Sequence, residues 1–140
     1  MRPAPGALLV VLLCGSGCGP EERARMPAQQ EAFAVVRQEL GRLFAEEMLH
    51  EPDVRWWTEP CPGTQISAVV LGPRCYAGLY YRPGGVDVAW RGSIGQSAYA
   101  HELMHYFLDQ AGLGSDPGHA RTAYWQLVER IDLQLQQQGL

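Results

Sequence analysis

The residues best suited to chemistry in this 140-residue chain are consecutive: His101-Glu102-Leu103-Met104-His105. Residues four apart on an α-helix lie on one face, so the imidazoles of His101 and His105 can bind one metal ion, typically Zn²⁺. Glu102 is rotated about 100° from His101 around the helix, so its carboxylate reaches a water molecule that the metal activates, and not the metal. The pattern therefore predicts a zinc site in which Glu102 carries protons.

The periodicity of the surrounding segment indicates that both histidines point away from the main apolar face. At about 100° per residue, the large apolar side chains fall on one arc, and His101 and His105 lie outside it. The members of that arc are Tyr99, Leu103, Tyr106, Phe107 and Ala111. Histidines buried for packing alone would lie inside the arc, so the pattern favours metal ligands.

A catalytic zinc site needs a third protein ligand, and here it must come from further along the chain. The candidates are His119, Asp116 and Glu129. Asp116 is well placed to cap a helix before Pro117, and Glu129 lies opposite the apolar stripe of its helix, as solvated residues do. We predict His119 as the ligand, because a glycine-rich loop can bring the first turn of that helix back to the motif.

With its HExxH motif, the chain resembles the zincin superfamily of metallopeptidases. The specific match covers residues 101–105, and a looser match in element order covers about residues 65–138. The resemblance implies a zincin-like fold, Zn²⁺ as cofactor, a peptide or protein substrate, and hydrolysis with Glu102 as the catalytic residue. It also implies that the last strand before the motif helix, residues 86–90, binds an extended substrate by strand addition.

Two supporting roles stay open at this point. Tyr124 and Tyr106 are candidates for a second hydrogen-bond donor to the reacting carbonyl oxygen, although both fit the core better. Asp109, four residues after His105, is a candidate to orient that imidazole, although its position favours a solvated surface.

The N-terminal residues have the layout of an export signal. Arg2 precedes the apolar run 7–13, and three small residues, 15–17, lead to Cys18. This arrangement resembles a bacterial lipoprotein signal, with Gly15 where that family usually has Leu. We predict a signal peptide over residues 1–17 and a lipid on Cys18, which anchors the protein in the cell envelope. The alternative is ordinary cleavage near residue 17, which leaves a soluble secreted protein.

The rest of the chain predicts a polar tether over residues 18–27 and one α+β domain over residues 28–140. Within the domain, residues 28–50 have the apolar spacing of a helix, and residues 51–64 are proline-rich and irregular. Trp56 and Trp57 lie in that irregular stretch, and we expect them to cover a small core rather than line a cleft.

Short strands and two helices are predicted to follow. Turn-forming Gly and Pro residues separate strands at 66–71, 75–82 and 86–90, and such short connections predict an antiparallel sheet. The motif helix is predicted over 97–111 with Ser97 as its N-cap, and the C-terminal helix from Asp116-Pro117 to about residue 138.

Cys61 and Cys75 are expected to form a disulfide, because export places them in an oxidising compartment. Closing the loop between them would contribute about 3 kcal/mol in the chain-entropy model. Thiolate metal ligation is the weaker alternative, since the chain has no CxxC pair.

Composition narrows the function classes. The formal net charge of −4 argues against nucleic-acid binding, and the chain has no GxGxxG or GxxxxGK[ST] phosphate-binding motif. We therefore expect an exported, lipid-anchored zinc peptidase. The alternatives are a non-catalytic metal-binding envelope lipoprotein that acts as an interaction or assembly module, and a structural lipoprotein in which the motif is coincidental.

The lipid anchor is tested by Cys18→Ser. The variant is expected to leave the membrane fraction, because the modified thiol is lost, and fractionation with immunoblotting measures this. Wild-type protein found entirely in the soluble fraction would contradict the anchor.

Overall fold

The computed structural model describes residues 22–57, 77–82 and 84–140. The predicted signal peptide, Cys18, the Cys61–Cys75 pair and the predicted strand 66–71 lie outside the described residues and stay predictions.

The described part of the chain is α+β, as expected. Helix α1 and a short 3-10 turn come first, followed by three strands and two helices. Their bounds are α1 Glu22–Leu40, 3-10 turn Glu46–Met48, β1 Asp53–Trp57, β2 Gly78–Arg82, β3 Gly85–Ala89, α2 Tyr99–Gln110 and α3 Thr122–Gln137. None of the described helices is both long enough and apolar enough to cross a membrane.

Helix α1 differs in its bounds from the predicted 28–50. It begins at Glu22, because residues 22–26 are strong helix formers, and Pro27 therefore lies inside the helix. It ends at Leu40, and Gly41 begins a turn. Beyond this turn Phe44 and Leu49 are buried, so their apolar spacing reflects core packing by irregular backbone and not a continued helix.

The three strands form a mixed sheet in the order β1-β3-β2. β2 and β3 are an antiparallel hairpin, as predicted, but β1 runs parallel to β3, so the expectation of a purely antiparallel sheet is wrong. A long connection between β1 and β3 permits the parallel pairing. β1 also lies in the stretch predicted to be irregular. Val54 and Trp56 are buried at alternate positions, as on a strand with one face in the core, but the prolines in this stretch indicated irregular backbone.

β3 is the central strand and is buried along its whole length. Both of its edges are paired, so residues 86–90 cannot accept a substrate strand, and that expectation is wrong. Among the described strands, β2 is an outer one, and it packs against α2.

Trp56 lies in the core, as expected. Its ring is fully buried, stacks on Tyr99 with ring centroids 5.6 Å apart, and meets the edge of Trp90 at the same distance. Its indole N–H donates to Gln29 Oε1 at 2.6 Å, which connects α1 to β1. A buried Trp needs such an acceptor, so this contact fixes where α1 lies on the sheet.

The ends of the two later helices also differ from prediction. Ser97 is not the N-cap of α2, because its hydroxyl accepts from the Arg91 backbone N–H and donates to the Ser93 carbonyl within the preceding loop. Gly112 follows the end of α2 with a φ of 73°, as expected. α3 begins at Thr122, so Asp116 and Pro117 lie in the connecting loop and not at the helix start.

The stability of the loop before α2 depends on Gly95. A Cβ there would lie 2.9 Å from both the Gln136 backbone N and Leu135 Cβ, which are atoms of α3. Gly95→Ala is therefore expected to lower the free energy of unfolding by about 1–3 kcal/mol in urea denaturation. Gly118→Ala is the matched control, since a Cβ there has no described atom within 4 Å. Equal stability of both variants would contradict this packing.

Candidate metal centre

Helix α2 places two imidazoles one turn apart on its half-buried side. His101 Nε2 and His105 Nε2 are 3.2 Å apart, and their ring planes are nearly perpendicular. The i, i+4 geometry predicted from the motif is therefore present.

The loop between α2 and α3 brings a third imidazole to this pair. His119 Nε2 lies 3.3 Å from His105 Nε2, and ligand atoms of all three histidines lie within 4.8 Å of one another. His119 is in the loop before α3, with a φ of 53°, and not in the first turn of the helix.

The spacing of these nitrogen atoms suits a small tetrahedral metal ion. Nitrogens bound to one zinc ion at about 2.0–2.1 Å lie about 3.3–3.4 Å apart. Two of the three separations, 3.2 and 3.3 Å, are close to this value, and the remaining pair of ligand atoms lies within 4.8 Å. Neutral imidazole nitrogens are also ligands that Zn²⁺ prefers, so the residues fit the ion both in distance and in chemistry.

A backbone carbonyl orients His105. Its Nδ1 lies 2.5 Å from the Ser115 carbonyl oxygen, which can only accept, so Nδ1 carries the proton and Nε2 presents its lone pair to the centre. Asp109 does not have this role. Its carboxylate instead accepts from the Tyr80 hydroxyl at 2.5 Å.

Asp116 holds the loop that carries His119. Its carboxylate accepts from the backbone N–H groups of Ala120 and Arg121 at 3.0 and 2.9 Å, and from the indole N–H of Trp125 at 2.7 Å. These bonds, with that from Trp125 contributing most, lower the pKa of Asp116. Asp116 is therefore neither an N-cap next to Pro117 nor one of the three clustered ligands, but it constrains the backbone on both sides of His119.

Trp125 on α3 forms one wall of the histidine cluster, and sequence reasoning missed it. Its ring centroid is 4.9, 4.6 and 4.2 Å from those of His101, His105 and His119. Only its proximity along the chain to His119 could have indicated this contact. Its indole N–H is bonded to Asp116, and its ring packs at a tilted angle beside each imidazole.

The electrostatic environment keeps the imidazoles on α2 neutral. Burial, and then the neighbouring imidazoles of His105 and His119, lower the pKa of His101 to about 4. Burial also lowers the pKa of His105, and the Ser115 carbonyl partly opposes this. Neutral imidazole is the form that binds a metal.

Glu102 lies beside the cluster in a narrow slot against β2. It lines the same cleft as the three histidines, a space of about 330 Å³. A Cβ on Gly78 would lie 2.5 Å from Glu102 Cγ, so only glycine lets the carboxylate lie against the strand. Burial, and then the charge of Asp87, raise the pKa of Glu102 to about 8, while the Tyr80 backbone N–H, which donates to the carboxylate, opposes the shift.

Tyr124 and Tyr106 both pack against the core, which the sequence favoured over a role as hydrogen-bond donors to the reacting carbonyl. Tyr124 packs on Phe44, and Tyr106 packs on Tyr80 and Phe107. Tyr80 lines the cleft instead, and burial and its bond to Asp109 raise its pKa to about 12. Glu129, the remaining alternative ligand, is exposed on α3 and is not part of the cluster.

Comparisons of the whole chain with protein-family models, curated proteins and solved structures gave no match.

The ligand set is tested by zinc content. His119→Ala is expected to lose most bound zinc, because two imidazoles alone hold the ion weakly, and Glu129→Ala is expected to keep about one ion per chain. Atomic absorption on protein dialysed against buffered zinc measures both. Loss of zinc in Glu129→Ala with retention in His119→Ala would show that the third ligand is wrong.

Proposed function

We propose that this protein is a zinc-dependent peptidase of zincin-like type, in which His101, His105 and His119 hold the ion and Glu102 is the catalytic residue. The observation that supports this most directly is the convergence of three imidazole nitrogens within 4.8 Å in a cleft that Glu102 also lines. The HExxH order of the chain supports the same assignment.

The residues of the site have two roles, metal binding and proton transfer. When bound, Zn²⁺ would polarise the substrate carbonyl and lower the pKa of a water molecule to about 7. Glu102 takes a proton from the attacking water and returns it to the leaving amine, so a peptide bond breaks and a water molecule is consumed. A carboxyl group in this position can both accept and donate a proton.

The fixed position of Glu102 supports this role. Its carboxylate accepts from the Tyr80 backbone N–H, and its methylene groups lie against Gly78. A group held on both sides keeps the geometry that proton transfer needs.

Among the described residues, β2 is the strand that borders the histidine cleft. Gly78, Leu79 and Tyr80 line the histidine cleft, and β2 is an outer strand among the described strands. We propose that an extended peptide lies along this strand, in place of the central strand β3. The exported, lipid-anchored state remains part of the proposal on the strength of residues 1–18 alone.

The proposal is tested by Glu102→Gln. This variant is expected to keep its zinc and to lose hydrolysis by about 10²–10⁴-fold, because glutamine cannot carry a proton. The measurement is cleavage of a mixed peptide library, followed by mass spectrometry, alongside zinc content. Glu129→Gln, which changes an exposed glutamate on α3, is the control and should retain activity.

Zinc-loaded wild-type protein that cleaves no peptide in the library would contradict the proposed peptidase activity. It would favour the metal-binding interaction module instead. Cleavage that persists unchanged in Glu102→Gln would contradict the assigned role of that residue.

A further inference from the structure

A second, larger cavity adjoins the histidine cleft. It has a volume of about 670 Å³ and lies between β2, the loop 91–98, the beginning of α2 and helix α3. This size is within the range of about 300–1,000 Å³ that is typical of ligand sites. Gly78, His101 and Glu102 line both spaces, so a chain bound at the cleft extends directly into the cavity.

The side of this cavity formed by α3 carries the carboxylate of Asp132. Asp132 is half-buried, and its Oδ1 is closed to solvent and accepts no hydrogen bond from any residue in the described ranges. Burial is the cause that raises the pKa of Asp132 to about 7. An ionised carboxylate in such a place lowers stability unless a proton or a cation compensates its charge, and a cationic ligand in the cavity would do so.

A hydrogen bond one turn away from Asp132 holds the loop 91–98 against α3. One turn further along α3, Gln136 Nε2 donates to the Gly95 carbonyl at 2.7 Å, and Gly95 lies directly on the helix backbone. The loop therefore closes one end of the cavity without covering the carboxylate. Arg91 also lines the cavity, but it makes no contribution to the pKa of Asp132.

We propose that this cavity binds a cationic side chain, a guanidinium or an ammonium group, and that Asp132 is its charged partner. The attribution of that cation to a peptide substrate rests on the proposed peptidase function. Under that function, the shared wall of His101 and Glu102 places the basic residue close to the bond that is cleaved, and Asp132 determines specificity.

Direct binding tests the site without any need for catalysis. The probes are Nα-acetyl-arginine amide and Nα-acetyl-citrulline amide, which have nearly the same shape and differ in charge. Titrations of the full mature protein, followed by NMR chemical shifts, are expected to show at least tenfold tighter binding of the arginine compound. Asp132→Asn should abolish this difference, and Glu129→Gln, an exposed change on the same helix, should preserve it.

Equal binding of the two probes to the wild-type protein would overturn the proposal, and this result does not depend on how any variant folds. Retention of the arginine preference in folded Asp132→Asn would also overturn it, because the cation would then bind elsewhere.

Peptide cleavage separates this inference from the proposed function. Hydrolysis with no preference for arginine over citrulline would overturn the proposed cation-binding site without contradicting the peptidase activity. Asp132-dependent binding of the arginine probe by a protein that cleaves no peptide would support the site and contradict the peptidase.

Discussion

The histidine cluster depends on the carboxylate of Asp116. Two of the three histidines lie on one helix and need no help to meet, but His119 is in a loop that could take many paths. Asp116 accepts N–H groups from Ala120, Arg121 and Trp125, and so ties the loop to itself and to α3. Hydrogen bonds to an ionised carboxylate are stronger than neutral ones, and three of them select one loop conformation.

That loop conformation requires strained backbone at two residues. Asp116 and His119 both have a φ of 53°, in a region that costs a residue with a Cβ roughly 1–2 kcal/mol. Strain of this kind persists where surrounding contacts determine the backbone, and it is concentrated at functional sites. Here the contacts of Asp116 provide that determination, and the result is that the exposed imidazole of His119 places its Nε2 3.3 Å from that of His105.

Three buried or half-buried acidic side chains lie in and near the histidine cleft. Glu102 and Asp87 are both buried between α2 and the sheet, and Asp132 lies half-buried across the adjoining cavity. Burial raises the pKa values of Glu102 and Asp132, so these carboxyl groups stay partly protonated near neutral pH. A small domain that tolerates such groups loses stability by keeping them, and proton transfer and cation recognition are functions that would justify the loss.

The order of strands in the mixed sheet determines which strand lies beside the histidine cleft. Because β1 pairs in parallel with β3, β3 becomes central and β2 is left beside α2. The short connection between β2 and β3 predicts their antiparallel pairing, and this part of the topology is confirmed. The pairing of β1 joins residues far apart in the chain, and no local pattern indicates such a partner.

The sequence by itself determined whatever follows from spacing within one element. The i, i+4 position of His101 and His105, the end of α2 before Gly112, and the burial of Trp56 are properties of local periodicity and composition, and they agree with the structure. The choice of His119 over Asp116 and Glu129 also rested on a local feature, the glycine-rich loop. Tertiary structure alone decided the Ser115 carbonyl behind His105, the Trp125 wall, the fit of Glu102 against Gly78, and the cavity at Asp132. Each of these is a contact between different elements, and its geometry depends on how helices and strands pack together, which periodicity along one segment does not encode.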